Sequence, residues 1–167
     1  MEVWQVVEES RTLRWMLPGM NATFIALIPK EAHPSTPDKF RPISLCNIIY
    51  KIVSKIIVSR LKLLLPLIIS PEQSGYVEGR QITGGVILTH EIIHSLKHFK
   101  KSGMLLKIDL SKAFDSLSWK YIREVLIAFG FALPWVRWVM SLITSSFFSI
   151  LINGIPCSPF HPSQGIR

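Results

Sequence analysis

Two short stretches of this sequence hold residues of the types and spacings that chemistry uses. The first is His90-Glu91-Ile92-Ile93-His94. Two imidazoles four residues apart share a helix face, and a glutamate after the first gives the pattern of a zinc hydrolase. The second is Lys107-Ile108-Asp109-Leu110-Ser111-Lys112-Ala113-Phe114-Asp115. Here the apolar run 104–108 reads as a buried strand with a carboxylate at its end. Such a carboxylate is costly unless paired, and a divalent cation is one partner. The plainer structural reading makes Asp109 the cap of the next turn and Asp115 the cap of a helix starting near 116–119. That reading explains Asp115 better than it explains Asp109.

The zinc pattern is incomplete. On a helix His98 joins His90 and His94 in one stripe, while Ile92, Ile93, Leu96 and Phe99 lie broadly opposite. The isoleucine side is expected in the core, with the histidines towards solvent or a groove. A catalytic zinc needs a third protein ligand. Lys97 takes the glycine place of the longer HExxHxxGxxH pattern, and the best downstream acid is Glu124. A zinc hydrolase is therefore the remote alternative.

The elements that must position these residues can be read from periodicity. An amphipathic helix is expected over 2–16, ending near Pro18-Gly19, and a strand over 23–28, stopped by Pro29. A polar, proline-rich loop covers 31–42. Apolar residues then recur at helical spacing over 47–65, where Pro66 closes the helix. Bends at Gly75, Gly79 and Gly84-Gly85 lead into a helix over 86–100. Helices follow at 118–129 and 134–144, then strands 148–152 and 155–157 around the hairpin signal Asn153-Gly154. Helices mixed with short strands give an α+β class.

Composition narrows the partners. Lys and Arg outnumber Asp and Glu by 19 to 11, a net charge of +8 that favours polyanions, nucleic acid before an acidic membrane surface. The two cysteines, Cys46 and Cys157, build neither a disulfide framework nor a recognised metal spacing. The uncharged run 138–160 is interrupted by Asn153-Gly154, Pro156 and Pro159, so it suits turns rather than a membrane span. MEVWQVVEES lacks the pattern of a signal peptide, and a nuclear or cytoplasmic location is expected.

KIDLSKAFDSLSW closely resembles the first palm motif of non-LTR, LINE-like retrotransposon reverse transcriptases, those of plants above all. The resemblance extends along the chain through NATFIALIPK, DKFRPISLCNIIYKIVSKIIVSRL, LPLIISPEQSGYVEGRQI, FGFALPWVRWVMSLITSSFFSILINGIPCSPF and PSQGIR. It implies a partial right-hand polymerase fold, with fingers over 1–103 and an incomplete palm over 104–167. Asp109 would bind both Mg²⁺ ions of a two-metal nucleotidyl transfer, helped by the carbonyl of Leu110. Phe114 would be the steric gate beneath the sugar of the incoming dNTP. Lys30 and Arg41 would reach its triphosphate. Gln73, Gly75 and Arg80 would lie along the template strand, and Gly165 and Arg167 would open the next motif, at the template–dNTP pair. The implied partners are an RNA template, a DNA primer and dNTP, with no membrane; no oligomeric state is indicated.

The sequence also departs from this pattern. The family's aromatic-x-Asp-Asp hairpin lies beyond residue 167, and the only aspartates are Asp38, Asp109 and Asp115. Gln164 stands where a basic residue is frequent, and Gly84 where an acidic one is. The expectation is a reverse transcriptase fragment inactive by itself. The alternative is a non-catalytic nucleic-acid-binding relic.

Overall fold

The computed structural model describes residues 2–166, so Arg167 lies outside the described residues. The chain forms two units. One comprises residues up to Lys55 together with those from Lys112 onward, and the other is Ile56–Ser111.

In the first unit, helix α1 (Val3–Leu13) begins with a capping box between Glu2 and Gln5 and ends at Arg14, whose φ is 57°. Its apolar stripe buries Val6 and Val7. A 3-10 turn at Pro18–Asn21 leads into strand β1 (Ala22–Pro29). A second such turn, Pro37–Lys39, leads into β2 (Phe40–Cys46), which pairs antiparallel with β1 and sets Ile28 opposite Arg41. The last three residues of the expected loop, 40–42, therefore open a strand. Pro42 in the middle of β2 obscured it in the sequence, yet β2 is an edge strand, where a missing N–H is tolerated.

Helix α2 (Ile48–Ile68) runs out of this unit into the other. It does not close at Pro66. Proline removes one ladder bond but leaves the next, Ile69 N–H to Leu65 O at 2.9 Å.

The chain re-enters the first unit with the short α4 (Ala113–Ser116), then α5 (Trp119–Ala128) and α6 (Leu133–Thr144); α3 belongs to the other unit and is described below. Strand β3 (Phe147–Ile152) pairs parallel to β1, and β4 (Ile155–Pro156) returns beside β3, giving the order β2-β1-β3-β4. Asn153 (φ 51°) and Gly154 (φ 81°) make the turn. Two positive φ values in succession match the right-handed twist of the strands, which is why Asn-Gly is favoured there.

Helix α6 is the centre of this unit. It buries Val136, Trp138 and Leu142, and the Trp138 indole donates to Ser10 Oγ at 2.9 Å. Asn21, also buried, donates to Leu142 O and to Ser145 Oγ, both at 2.8 Å. These bonds hold α1 and the start of β1 on α6. Each fully buried aliphatic side chain adds roughly 1.5–3 kcal/mol.

The second unit contains the rest of α2, a loop over 69–81, α3 (Ile82–His98) and an extended segment to Ser111. Its buried apolar residues among those described are Ile57 and Val77. Three expectations fail here. Gly84-Gly85 makes no bend but lies inside α3. The isoleucine side of α3 is not core: Ile93 and Leu96 are half-buried, while Ile92 and Phe99 are exposed. And 104–108 is not a strand; no described residue pairs with it, and Met104, Leu105, Leu106 and Ile108 are all exposed. An apolar run forms a strand only when a neighbouring strand takes up its N–H and C=O groups.

Candidate functional site

In the first unit, α4 meets the segment 164–166 in a closely bonded turn. Lys112, at φ 51°, turns the chain so that its carbonyl accepts the amides of Asp115 and Ser116, both at 3.0 Å. Asp115 thus lies inside a one-turn helix and does not cap α5. The residue before α5 is Ser118, whose side chain makes no capping bond. Gly165 lies against this turn. Its amide donates to Leu117 O and the amide of Ile166 donates to Phe114 O, each at 2.8 Å. The Trp119 indole completes the clamp by donating to Gly165 O at 2.7 Å.

Glycine is required at 165 on two grounds. Its φ is +85°, and a Cβ there would come within 2.8 Å of Asp115 O and 3.1 Å of Phe114 O. Real Cβ atoms do not approach backbone that closely. Two of the motifs picked out in the sequence are therefore bonded to one another, 46 residues apart at Trp119 and Gly165. Sequence reasoning singled out Phe114 and Gly165 but missed Trp119. The available signal was an indole just after the aspartate turn, since a partly buried Trp N–H needs an acceptor.

Beside this clamp is a cavity of about 370 Å³. Asp115, Gln164, Ser44 and Tyr50 bring polar groups to it, and Ile25, Phe148 and Phe160 are among its apolar walls. Its volume falls within the range of small-ligand sites.

The two cations expected at a triphosphate differ in their surroundings. Arg41 is exposed on β2. The Lys30 ammonium donates to the backbone carbonyl of Asp38 at 2.6 Å, closing the 30–39 loop together with the Lys30 amide, which donates to Lys39 O at 2.8 Å. A hydrogen bond from the Thr36 side chain, then a backbone bond and the charges of Lys30 and Lys112, holds the Asp38 carboxyl below its ordinary range; partial desolvation opposes them. The positive charges of Lys30 and Lys112 thus act on one carboxylate of the 30–39 loop.

In the second unit the expected template residues share one loop. Arg80 does not project from it. Its guanidinium donates to the carbonyls of Ser70, of Gln73 (2.7 Å) and of Ile69 (2.9 Å), with a longer contact to Pro66 O (3.4 Å). It therefore satisfies carbonyls that the end of α2 and the following turn leave open. Gln73 Nε2 makes a long 3.4 Å contact to Gly75 O. Tyr76 is 90% exposed at a φ of 63°. Asp109 and Leu110 lie in the exposed segment after 104–108.

Neither metal pattern is assembled. His90, His94 and His98 are exposed on α3, the last two with parallel rings 6.1 Å apart. No group of three or more His, Cys, Asp or Glu side chains that could hold a metal ion occurs among the described residues. The zinc reading lacks its third ligand. Asp109, likewise, belongs to no such group, so the described residues do not fit a divalent-metal centre. No described helix is long and apolar enough to cross a membrane.

Residues 28–165 match the family described as "Reverse transcriptase (RNA-dependent DNA polymerase)". The chain is 32% identical over 143 residues to the "Transposon TX1 uncharacterized 149 kDa protein" of Xenopus laevis, which covers 86% of this chain and 11% of that protein. It is 29% identical over 141 residues to the "Retrovirus-related Pol polyprotein from type-2 retrotransposable element R2DM" of Drosophila melanogaster, covering 84% of this chain and 13% of that one. The chain thus spans about a tenth of the length of these relatives.

Proposed function

Because this chain belongs to the reverse transcriptase (RNA-dependent DNA polymerase) family, we propose that it forms the nucleotide- and template-binding part of an enzyme that copies RNA into DNA for a LINE-like retrotransposon. The observation that carries the proposal is the clamp of Gly165 and Ile166 on the Phe114–Trp119 turn. It brings together two stretches that the family reading assigns to one incoming dNTP.

On this reading Phe114 lies under the sugar. Its carbonyl is fixed by the Ile166 amide, while the residue remains 59% exposed, which leaves its ring able to crowd a 2′-OH. Arg41 supplies an exposed guanidinium for the triphosphate, where a bidentate charge-assisted contact is strongest. Lys30 joins it only by exchanging the Asp38 carbonyl for a phosphate oxygen. Gln73 and Gly75 present the template side, and Asp109 supplies one carboxylate for transfer to the primer 3′-OH. The family is metal-dependent in general. With Asp109 in no group of three or more ligands among the described residues, this chain's own residues are assigned to binding, and the fingers and palm divisions at 1–103 and 104–167 to the parent enzyme.

The test is nucleotide binding by fluorescence titration, alongside primer extension on an RNA template. The chain is expected to bind dNTP, to bind it about 10- to 100-fold more weakly after Arg41→Ala, given ~1.5–3 kcal/mol for a charged hydrogen bond, and to incorporate none. Phe114→Ala should narrow the preference for dNTP over rNTP. Binding unaffected by both substitutions, or template-dependent incorporation by this chain, would overturn the assignment. The net charge of +8 sustains a second reading, nucleic-acid binding without nucleotide selection. Steeply salt-dependent oligonucleotide binding with no dNTP affinity would favour it.

A further inference from the structure

We propose that the cleft between α5 and α6 is a docking site for the phosphodiester backbone of a nucleic-acid strand, separate from the Phe114–Gly165 clamp. Arg123 on α5 and Arg137 on α6 line this open cleft of about 310 Å³, over a floor that includes Leu133, Val136 and Met140. Both arginines are exposed, and neither has a carboxylate partner among the described ion pairs. The acid of α5, Glu124, faces Lys120 instead, at 3.9 Å.

The other polar groups of the cleft cannot take over the role of donor. Ser141 spends its hydroxyl proton on Trp138 O at 2.8 Å, and Thr144 spends its own on Met140 O at 2.9 Å. The donors that remain are guanidinium N–H groups, whose planar fork matches phosphate oxygens. Two like charges lining one apolar-floored cleft repel each other until an anion lies between them. A strand supplies such an anion at each nucleotide, and its sugar edge is suited to the apolar floor. An isolated carboxylate would satisfy the forks equally well but offers nothing to Leu133 and Met140. The inference uses the reverse transcriptase reading only to choose nucleic acid among polyanions.

The test is fluorescence anisotropy of a labelled 20-nucleotide single strand, titrated from low to high salt with the wild-type chain, with Arg123→Gln/Arg137→Gln, and with Lys100→Gln/Lys101→Gln as a control of equal charge loss. The arginine pair is expected to lower affinity at least tenfold at low salt and to flatten the log–log salt slope by about 1.4, two contacts at ~0.7 each for a single strand. The control should change the slope by less than half of that. Polyglutamate of equal charge should compete poorly. All the substituted residues are exposed, so thermal melts should coincide with wild type. An unchanged slope in the arginine variant, equal losses in the control, equal competition by polyglutamate, or no binding by the wild type would each overturn the proposal. Nucleotide binding reports separately on the clamp: loss of the cleft effect with dNTP affinity intact removes this site alone, and the converse result removes only the dNTP assignment.

Discussion

Replacing Gly165 by alanine tests whether the clamp is a built feature. Two costs oppose the added methyl group. An L-residue at φ +85° loses roughly 1–2 kcal/mol of backbone energy, and the Cβ would lie 2.8 Å from a fixed carbonyl oxygen of Asp115. The alternative is to undock residues 165–166. That gives up three hydrogen bonds, Gly165 to Leu117, Ile166 to Phe114 and Trp119 to Gly165. At ~0.5–1.5 kcal/mol net for each, the sum is about 1.5–4.5 kcal/mol. The two costs are comparable, so the segment should open locally while the α6 core stays folded. The assay is amide hydrogen exchange at Ile166, with the indole N–H resonance of Trp119 identified through Trp119→Phe. Ile166 should exchange at least about tenfold faster, since ~1.4 kcal/mol is a factor of ten, and the indole should report loss of its acceptor. The melting temperature should fall by only a few degrees. Unchanged Ile166 protection and an unmoved Trp119 resonance would refute the argument, because the alanine would then have been accommodated without cost.

Two further outcomes follow from other side chains. Arg80→Lys should destabilise the second unit by roughly 1–3 kcal/mol, because an ammonium cannot reach several carbonyls in one plane; chemical denaturation with a probe near Val77 reads it, and a neutral result would show that the carbonyls are satisfied by water. Thr36→Val should raise the Asp38 pKa towards the ordinary carboxylate range, because the Thr36 hydrogen bond is the largest cause of its depression. A depressed folded-state pKa means that the contribution of Asp38 to stability is present above the unfolded-state value and is lost as pH falls through the folded-state value, so the variant should lose it at a higher pH. NMR titration of the carboxyl carbon measures this, and an unmoved midpoint would contradict the assigned cause.

Much of the fold was legible because it rests on local signals. Asn153-Gly154 specified its hairpin through two positive φ values, and the helices at α1, α5 and α6 follow their apolar stripes. What was not legible depends on distant partners. An edge strand can carry Pro42, so the start of β2 looked like a loop. The 104–108 run has strand composition but no neighbour among the described residues, and composition alone does not supply one. The α3 stripe predicts a buried face only if something packs on it. In the candidate site, Phe114 and Gly165 were singled out through their motifs, but the indole that donates to Gly165 O was not. A link across 46 residues leaves no periodicity to read.

Arg80 shows why a motif position does not by itself fix a role. The family resemblance implies a place for it among the template residues, and its charge suits a phosphate. In the structure its guanidinium is engaged with the carbonyls of Ile69, Ser70 and Gln73, so reaching a strand would first uncover those groups. Those carbonyls would then need another donor, and a phosphate oxygen bound by Arg80 must first offset their loss, roughly 1–3 kcal/mol. Tyr76 and Gln73 face no such exchange, since Tyr76 is almost wholly exposed and Gln73 makes only a long contact. Arg80 therefore acts first on the shape of the loop that presents Gln73, Gly75 and Tyr76. If the loop carries the proposed template contacts, substituting Arg80 should weaken that binding through the loop, with the salt slope changing by less than the full unit that a direct phosphate contact would remove.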